Sequence, residues 1–101
     1  MTSRLKVTVT RRAQKHIEAA ERWWSENRVS APDAVTEDLD RILRLLSVQP
    51  RIGARARRSK LSDVRRVTLS RIRYHLYYRV AGESLEVLAL WHTSRGAEPK
   101  L

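Results

Sequence analysis

The stretch Val64–Gly96 reads VRRVTLSRIRYHLYYRVAGESLEVLALWHTSRG and holds all three tyrosines and two of the three histidines of the chain. Val67 and Leu69 alternate with Arg66 and Thr68. Tyr74, Leu76, Tyr78 and Val80 then alternate with His75, Tyr77 and Arg79, the period-two pattern of half-buried strands. The third run, Leu85–His92, is apolar on both faces, which places it inside a sheet rather than at its edge. With Gly82 and Glu83 as a two-residue turn, Gly first as type II′ requires, Val80 faces Leu85, Arg79 faces Glu86, Tyr77 faces Leu88 and Tyr74 faces Trp91. A four-residue loop, Ala81–Ser84, gives the same pairing.

That register sorts the residues into two faces. Val67, Leu69, Tyr74, Leu76, Tyr78, Val80, Leu85, Val87, Ala89 and Trp91 form the expected core face. Arg66, Thr68, His75, Tyr77, Arg79, Glu86, Leu88, Leu90 and His92 form the other. A face so rich in cations, imidazole and phenol is a candidate working surface.

Upstream, Leu5–Thr10 alternates as a short strand with Leu5, Val7 and Val9 on one side, and Thr10 is placed to cap a helix. Ala13, Ile17, Ala20 and Trp24 recur at helical spacing through Arg11–Asn27, with His16 beside the stripe as a boundary residue. Trp23 lies one position round from Trp24, so one face cannot bury both; Trp24 suits the core and Trp23 an apolar patch that a partner covers. Ser30 as N-cap, Pro32 in the first turn and Asp33 near the dipole's positive end announce a second helix running to Val48. Its stripe is Val35, Leu39, Ile42, Leu43 and Leu46, Pro50 stops it, and the short connection makes the pair an antiparallel hairpin. Pro50–Asp63 reads as a basic loop with Gly53 as its flexible point.

A chain of 101 residues with 42% hydrophobic content fits one globular domain. No apolar run approaches the roughly 20 residues of a membrane span, and MTSRLKVTVT lacks a signal-peptide core, so a cytoplasmic protein is expected. Without cysteine there is no disulfide, thiolate nucleophile or cysteine metal site, and three scattered histidines lack metal-ligand spacing. The net charge of +10 favours polyanionic partners, either nucleic acid or an acidic protein segment. Arg51, Arg55, Arg57, Arg58, Lys60, Arg65, Arg66, Arg71, Arg73 and Arg79 crowd one region whose single acid is Asp63. No phosphate-binding glycine loop or nucleophile elbow is present.

The order strand, helix, helix, three strands, together with PRIGARARR, DVRRVTL, YHLYYRV and LEVLALWHTSRG, resembles the RelE/ParE superfamily of bacterial toxins, and most of all its ParE branch. The residues that carry the resemblance are Pro50, Gly53, Val64-Arg65, Tyr74, Tyr78-Arg79-Val80, His92 and Arg95. It implies a compact α+β fold with the two helices packed on one face of an antiparallel sheet. It also implies an acidic, partly disordered antitoxin of ParD type as partner. ParE-branch members act on DNA gyrase, whereas RelE-branch members cut messenger RNA on the ribosome.

RNA cleavage needs a base, cations for the phosphorane and an acid for the leaving oxygen. The chain departs from the RelE pattern, because after His92 it reads TSRGAEPKL with no tyrosine, and His75 stands where an arginine often follows the strand tyrosine. The expected function is therefore a gyrase-directed toxin acting by binding, with no catalytic residues or cofactor. Were it a nuclease, His75, Arg79 and His92 would be the candidates, the two imidazoles sharing a face on adjacent strands but two residues out of register. A plain nucleic-acid-binding module is the remaining alternative, resting on the basic loop and an exposed Tyr77 able to stack on a base. Trp23, Arg65, Arg79, His92 and Arg95 are the expected partner-binding positions. Each has a structural alternative: Trp23 packs at the core boundary, Arg79 pairs with Glu86, Arg65 pairs with a helix acid from the core rim, and His92 and Arg95 merely end the last strand.

Overall fold

The computed structural model describes residues 4–56 and 59–101. Its elements are β1 (Lys6–Val9), α1 (Arg11–Asn27), α2 (Ala34–Val48), β2 (Ala54–Arg55), β3 (Arg65–Leu69), β4 (Tyr74–Ala81) and β5 (Ser84–His92). They form an α+β fold in which one sheet has the order β1-β5-β4-β3-β2. All neighbours are antiparallel except β1, which runs parallel to β5. The doubly apolar run is thus an interior strand, as its pattern requires. β2 is an addition to the sequence reading: two residues of the basic loop pair with Arg65 and Arg66. Arg57 and Arg58 lie outside the described residues.

Thr10 joins sheet to helix. Its N–H donates to Val87 O at 3.1 Å, and its Oγ1 accepts from Ala13 N at 3.1 Å, the N-cap bond that satisfies an orphan donor of α1. Ala13, Ile17, Ala20 and Trp24 face inward as spaced. The second helix starts later than its sequence suggests. Ala34 N–H closes a turn on Ala31 O at 3.2 Å, and Asp33, not Ser30, is the N-cap. The main core lies between the helices and one sheet face and contains Val35, Leu39, Leu46, Leu69, Ile72, Leu76, Tyr78, Leu85, Val87 and Leu90.

Gly82 takes φ +61° at the first turn position, and Ala81 pairs with Ser84, Val80 with Leu85 and Arg79 with Glu86, as expected. Beyond that the register changes. Tyr78 pairs with Val87 but Tyr77 pairs with Ala89, so Leu88 is an extra residue on β5, a β-bulge. Past the bulge Tyr74 faces His92 rather than Trp91, and His75 faces Trp91. Because side chains alternate with period two, one inserted residue exchanges the faces of all that follow. Leu90 and His92 turn to the helix side, whereas Ala89 and Trp91 turn away from it. The physical reason is volume: Leu90 fills the main core where the regular register would offer only the Ala89 methyl group. The bulge is held by α1, where Thr10 Oγ1 reaches Leu88 O at 3.4 Å and His16 Nδ1 accepts from Leu90 N at 3.2 Å.

The opposite sheet face is not open. Val64, Tyr77, Leu88 and Ala89 form a second buried cluster, against which Trp91, Ala56 and Leu101 pack. The segment Gly96–Leu101 crosses it with Pro99 buried, tied by Trp91 Nε1 to Ala97 O at 2.7 Å and Lys60 N to Leu101 O at 2.8 Å. Tyr77 is only 2% exposed. It cannot stack on a base, and the expected working surface is largely a second core. Val80, placed in the core by alternation, is 40% exposed at the hairpin end, where no helix covers it.

Candidate functional site

Two concavities open on the helix side, at opposite ends of the sheet. The first holds Pro50, Arg65, Tyr78 and Val80 of the residues that carry the family resemblance. Tyr78 Oη donates to Pro50 O at 2.7 Å and accepts from Gly53 N at 3.0 Å. Arg65 Nη1 donates to Gly53 O at 2.8 Å and Arg51 O at 3.2 Å. Burial pushes the Tyr78 phenol above its usual range, so it stays protonated and able to donate to Pro50. A Cβ on Gly53 would stand 2.6 Å from Tyr78 Oη and 3.0 Å from Arg66 O. Gly53 is therefore a close-approach position rather than a flexible point. Arg65 is spent on backbone carbonyls, not on an acid of the helices. The cleft beside this knot, about 520 Å³, is lined by Arg51, Arg55, Arg65, Asp63 and the apolar Leu5, Val48 and Val80.

The second concavity, about 530 Å³, lies between the end of α1, the β3–β4 turn and the end of β5. Trp23, Trp24, Arg28, Arg71, Ile72, Arg73, Tyr74 and His92 line it. Trp23 is 45% exposed and meets half-buried Trp24 edge-on at 5.9 Å. Arg28 lies over Trp23 at 5.5 Å. His92 meets Tyr74 edge-on at 5.0 Å, and its Nδ1 accepts from Ser94 N at 3.1 Å, with Ser94 Oγ at 2.7 Å. Arg71 is held by the helix acids, 3.2 Å from Asp38 Oδ1 and 3.3 Å from Glu37 Oε1. Asp38 is 1% exposed and also pairs with Arg41 at 3.2 Å.

Of the expected partner-binding residues, only Trp23 and His92 come together here. Arg65 belongs to the knot. Arg79 Nε pairs with Glu86 Oε1 at 2.9 Å on the opposite face. Arg95 stacks 3.6 Å over the Trp91 ring, whose edge neighbour is His16. The bulge parts the two imidazoles that alternation had placed together. His92 faces the helix side, while His75, on the far side, lies 2.9 Å from Thr68 Oγ1. Burial and Arg66 lower the His75 pKa, against the opposing effect of Glu98. His75, Arg79 and His92 thus form no joint acid–base site.

The cavity residues outside the expected partner-binding set are Trp24, Arg28, Arg71, Ile72, Arg73 and Tyr74, of which only Tyr74 is among those carrying the family resemblance. Arg28 was detectable, standing four positions after Trp24 on one helical face. Ile72 and Arg73 sit in a turn, and only the tertiary fold brings them to α1. No described helix is long and apolar enough to cross a membrane.

Among curated proteins none matches this sequence. A solved structure, "Chromosomal ParDE TA system from P. aeruginosa", shares the fold with a TM-score of 0.68 and 22% identity, over 89% of this chain and 97% of that one. The family model described as "ParE toxin of type II toxin-antitoxin system, parDE" matches residues 7–96, nearly the whole chain from β1 to the end of β5 and beyond. A strand, a helical hairpin and an antiparallel sheet, with the Pro50–Gly53–Tyr78–Arg65 knot at one end and Tyr74–His92 at the other, therefore belong to a member of the ParE toxin family of type II toxin-antitoxin systems.

Proposed function

We propose that this toxin inhibits DNA gyrase by binding it, with no bond-breaking chemistry of its own, as a single cytoplasmic domain restrained by an acidic ParD-type antitoxin. The observation that carries the reading is the separation of His75 and His92 onto opposite sheet faces, each beside a neighbouring hydroxyl. A general acid or base contributes roughly 10²- to 10⁴-fold to rate, and a ribosome-dependent nuclease built on this chain would lack a convergent pair. Binding needs only complementary charge and a fixed surface, and the +10 charge supports a polyanionic antitoxin. Family membership supports gyrase as the target.

The test is expression of the protein in cells, with purified gyrase assayed in parallel. Supercoiling should be blocked and DNA damage raised while ribosome-bound messenger RNA stays intact. Codon-position cuts in that RNA with gyrase unaffected would refute the proposal.

A further inference from the structure

The cavity between α1, the β3–β4 turn and β5 has an uneven distribution of charge. Its floor is apolar, with Ile72 only 1% exposed and Trp24 half-buried. Three arginines line it and no acid does. Arg71 is neutralised by Glu37 and Asp38, but Arg28 and Arg73 make no ion pair among the described residues.

Arg73 has a second peculiarity. It takes φ +63°, the left-handed region that side chains other than those of glycine and asparagine disfavour. Its N–H donates to Leu69 O at 2.8 Å and its carbonyl accepts from Thr93 N at 2.9 Å, so the turn holds it there. Glycine would meet every backbone requirement of that position with less strain. An arginine at a strained position, with its side chain lining a cavity, points to a task for the guanidinium.

We propose that this cavity receives an apolar side chain of an acidic partner polypeptide, with Arg28 and Arg73 binding the carboxylates that flank it. The inference rests on the partner-binding reading above and assigns it a place on the molecule. Carboxylates fit because a planar guanidinium binds them through two parallel N–H bonds. The apolar floor takes the side chain between them, as buried anchors do at interfaces. A nucleic-acid strand fits less well. Base stacking needs a free ring face, whereas Trp23 already carries Arg28 over its ring.

The probe is a blocked acidic peptide with one leucine between paired aspartates, titrated at low salt and followed by the indole N–H resonance of Trp23 and the methyl resonances of Ile72. Both should shift. Arg73→Gly should weaken binding at least tenfold without lowering the melting temperature, and Arg28→Gln should weaken it similarly. Binding that survives both substitutions would overturn the proposal, as would parallel loss of binding and melting temperature in Arg73→Gly. An oligothymidylate that displaces the peptide from the same resonances would also overturn it, in favour of nucleic acid. Gyrase inhibition by the unsubstituted protein, measured alongside, separates failure of this site from failure of the toxin reading: a peptide that moves neither resonance while gyrase is still blocked refutes the site alone.

Discussion

Replacing Tyr78 by Phe removes one oxygen and leaves the ring packing in place. That oxygen donates to Pro50 O at 2.7 Å and accepts from the N–H of buried Gly53 at 3.0 Å. Each net hydrogen bond contributes about 1 kcal/mol, and stranding a buried donor costs about 1–3 kcal/mol. Stranded inside the fold, the Gly53 N–H places the expected loss at about 2–3 kcal/mol. For a domain of this size each kcal/mol lowers the melting temperature by about 4–8 °C, so a fall of about 10–20 °C is expected. Urea unfolding should show a lower midpoint with an unchanged slope. Arg65→Met removes the other half of the knot, the bonds to Gly53 O and Arg51 O, and the two changes meet at Gly53. The double mutant should therefore lose less than the sum of the singles, by about 0.5 kcal/mol or more. A Tyr78→Phe loss under about 0.5 kcal/mol, or strict additivity with Arg65→Met, would show that the knot does not hold the β2 loop.

Three further outcomes are expected. Burial first, then Arg12 and Arg95, lowers the His16 pKa below 6.5, so the unfolded chain binds the proton more readily; this contribution to stability is full above pH 6.5 and is lost as pH falls through the lowered value, a dependence that His16→Gln should flatten in melting curves. Arg71→Met leaves the buried Asp38 with Arg41 alone and should cost about 1–2 kcal/mol in urea unfolding, the range for weakening the satisfaction of a buried polar group. Trp23→Ala should weaken the antitoxin complex by about 2 kcal/mol in titration calorimetry with little change in melting temperature, whereas a drop in melting temperature at unchanged affinity would make Trp23 a packing residue.

How far the candidate site was legible depends on which contacts are local. The exposed Trp23 followed from helical geometry, because neighbours 100° apart cannot share one buried stripe. The Arg79–Glu86 pair followed from the two-residue turn, which fixes the register of its first rungs. Arg73 is one basic residue among many in the sequence, since a left-handed φ leaves no mark in the identity of an arginine and its cavity is closed by a helix about 50 residues earlier in the chain.

The sequence by itself determined both helices and every strand except β2, in their order: period two in β4, period 3.6 in both helices, Thr10 as a cap and Gly82 as a turn, all set by interactions within a few residues. It determined the charge as well, which is independent of fold. Only the tertiary structure decided the bulge at Leu88, because Leu88–Trp91 is apolar at every position and local pattern cannot choose between registers of similar hydrophobicity. The choice came from the volume that the helices leave for Leu90 and from the bonds that Thr10 and His16 offer to the β5 backbone. That one residue separated His75 from His92 and brought His92 to the cavity of Trp23 and Arg73.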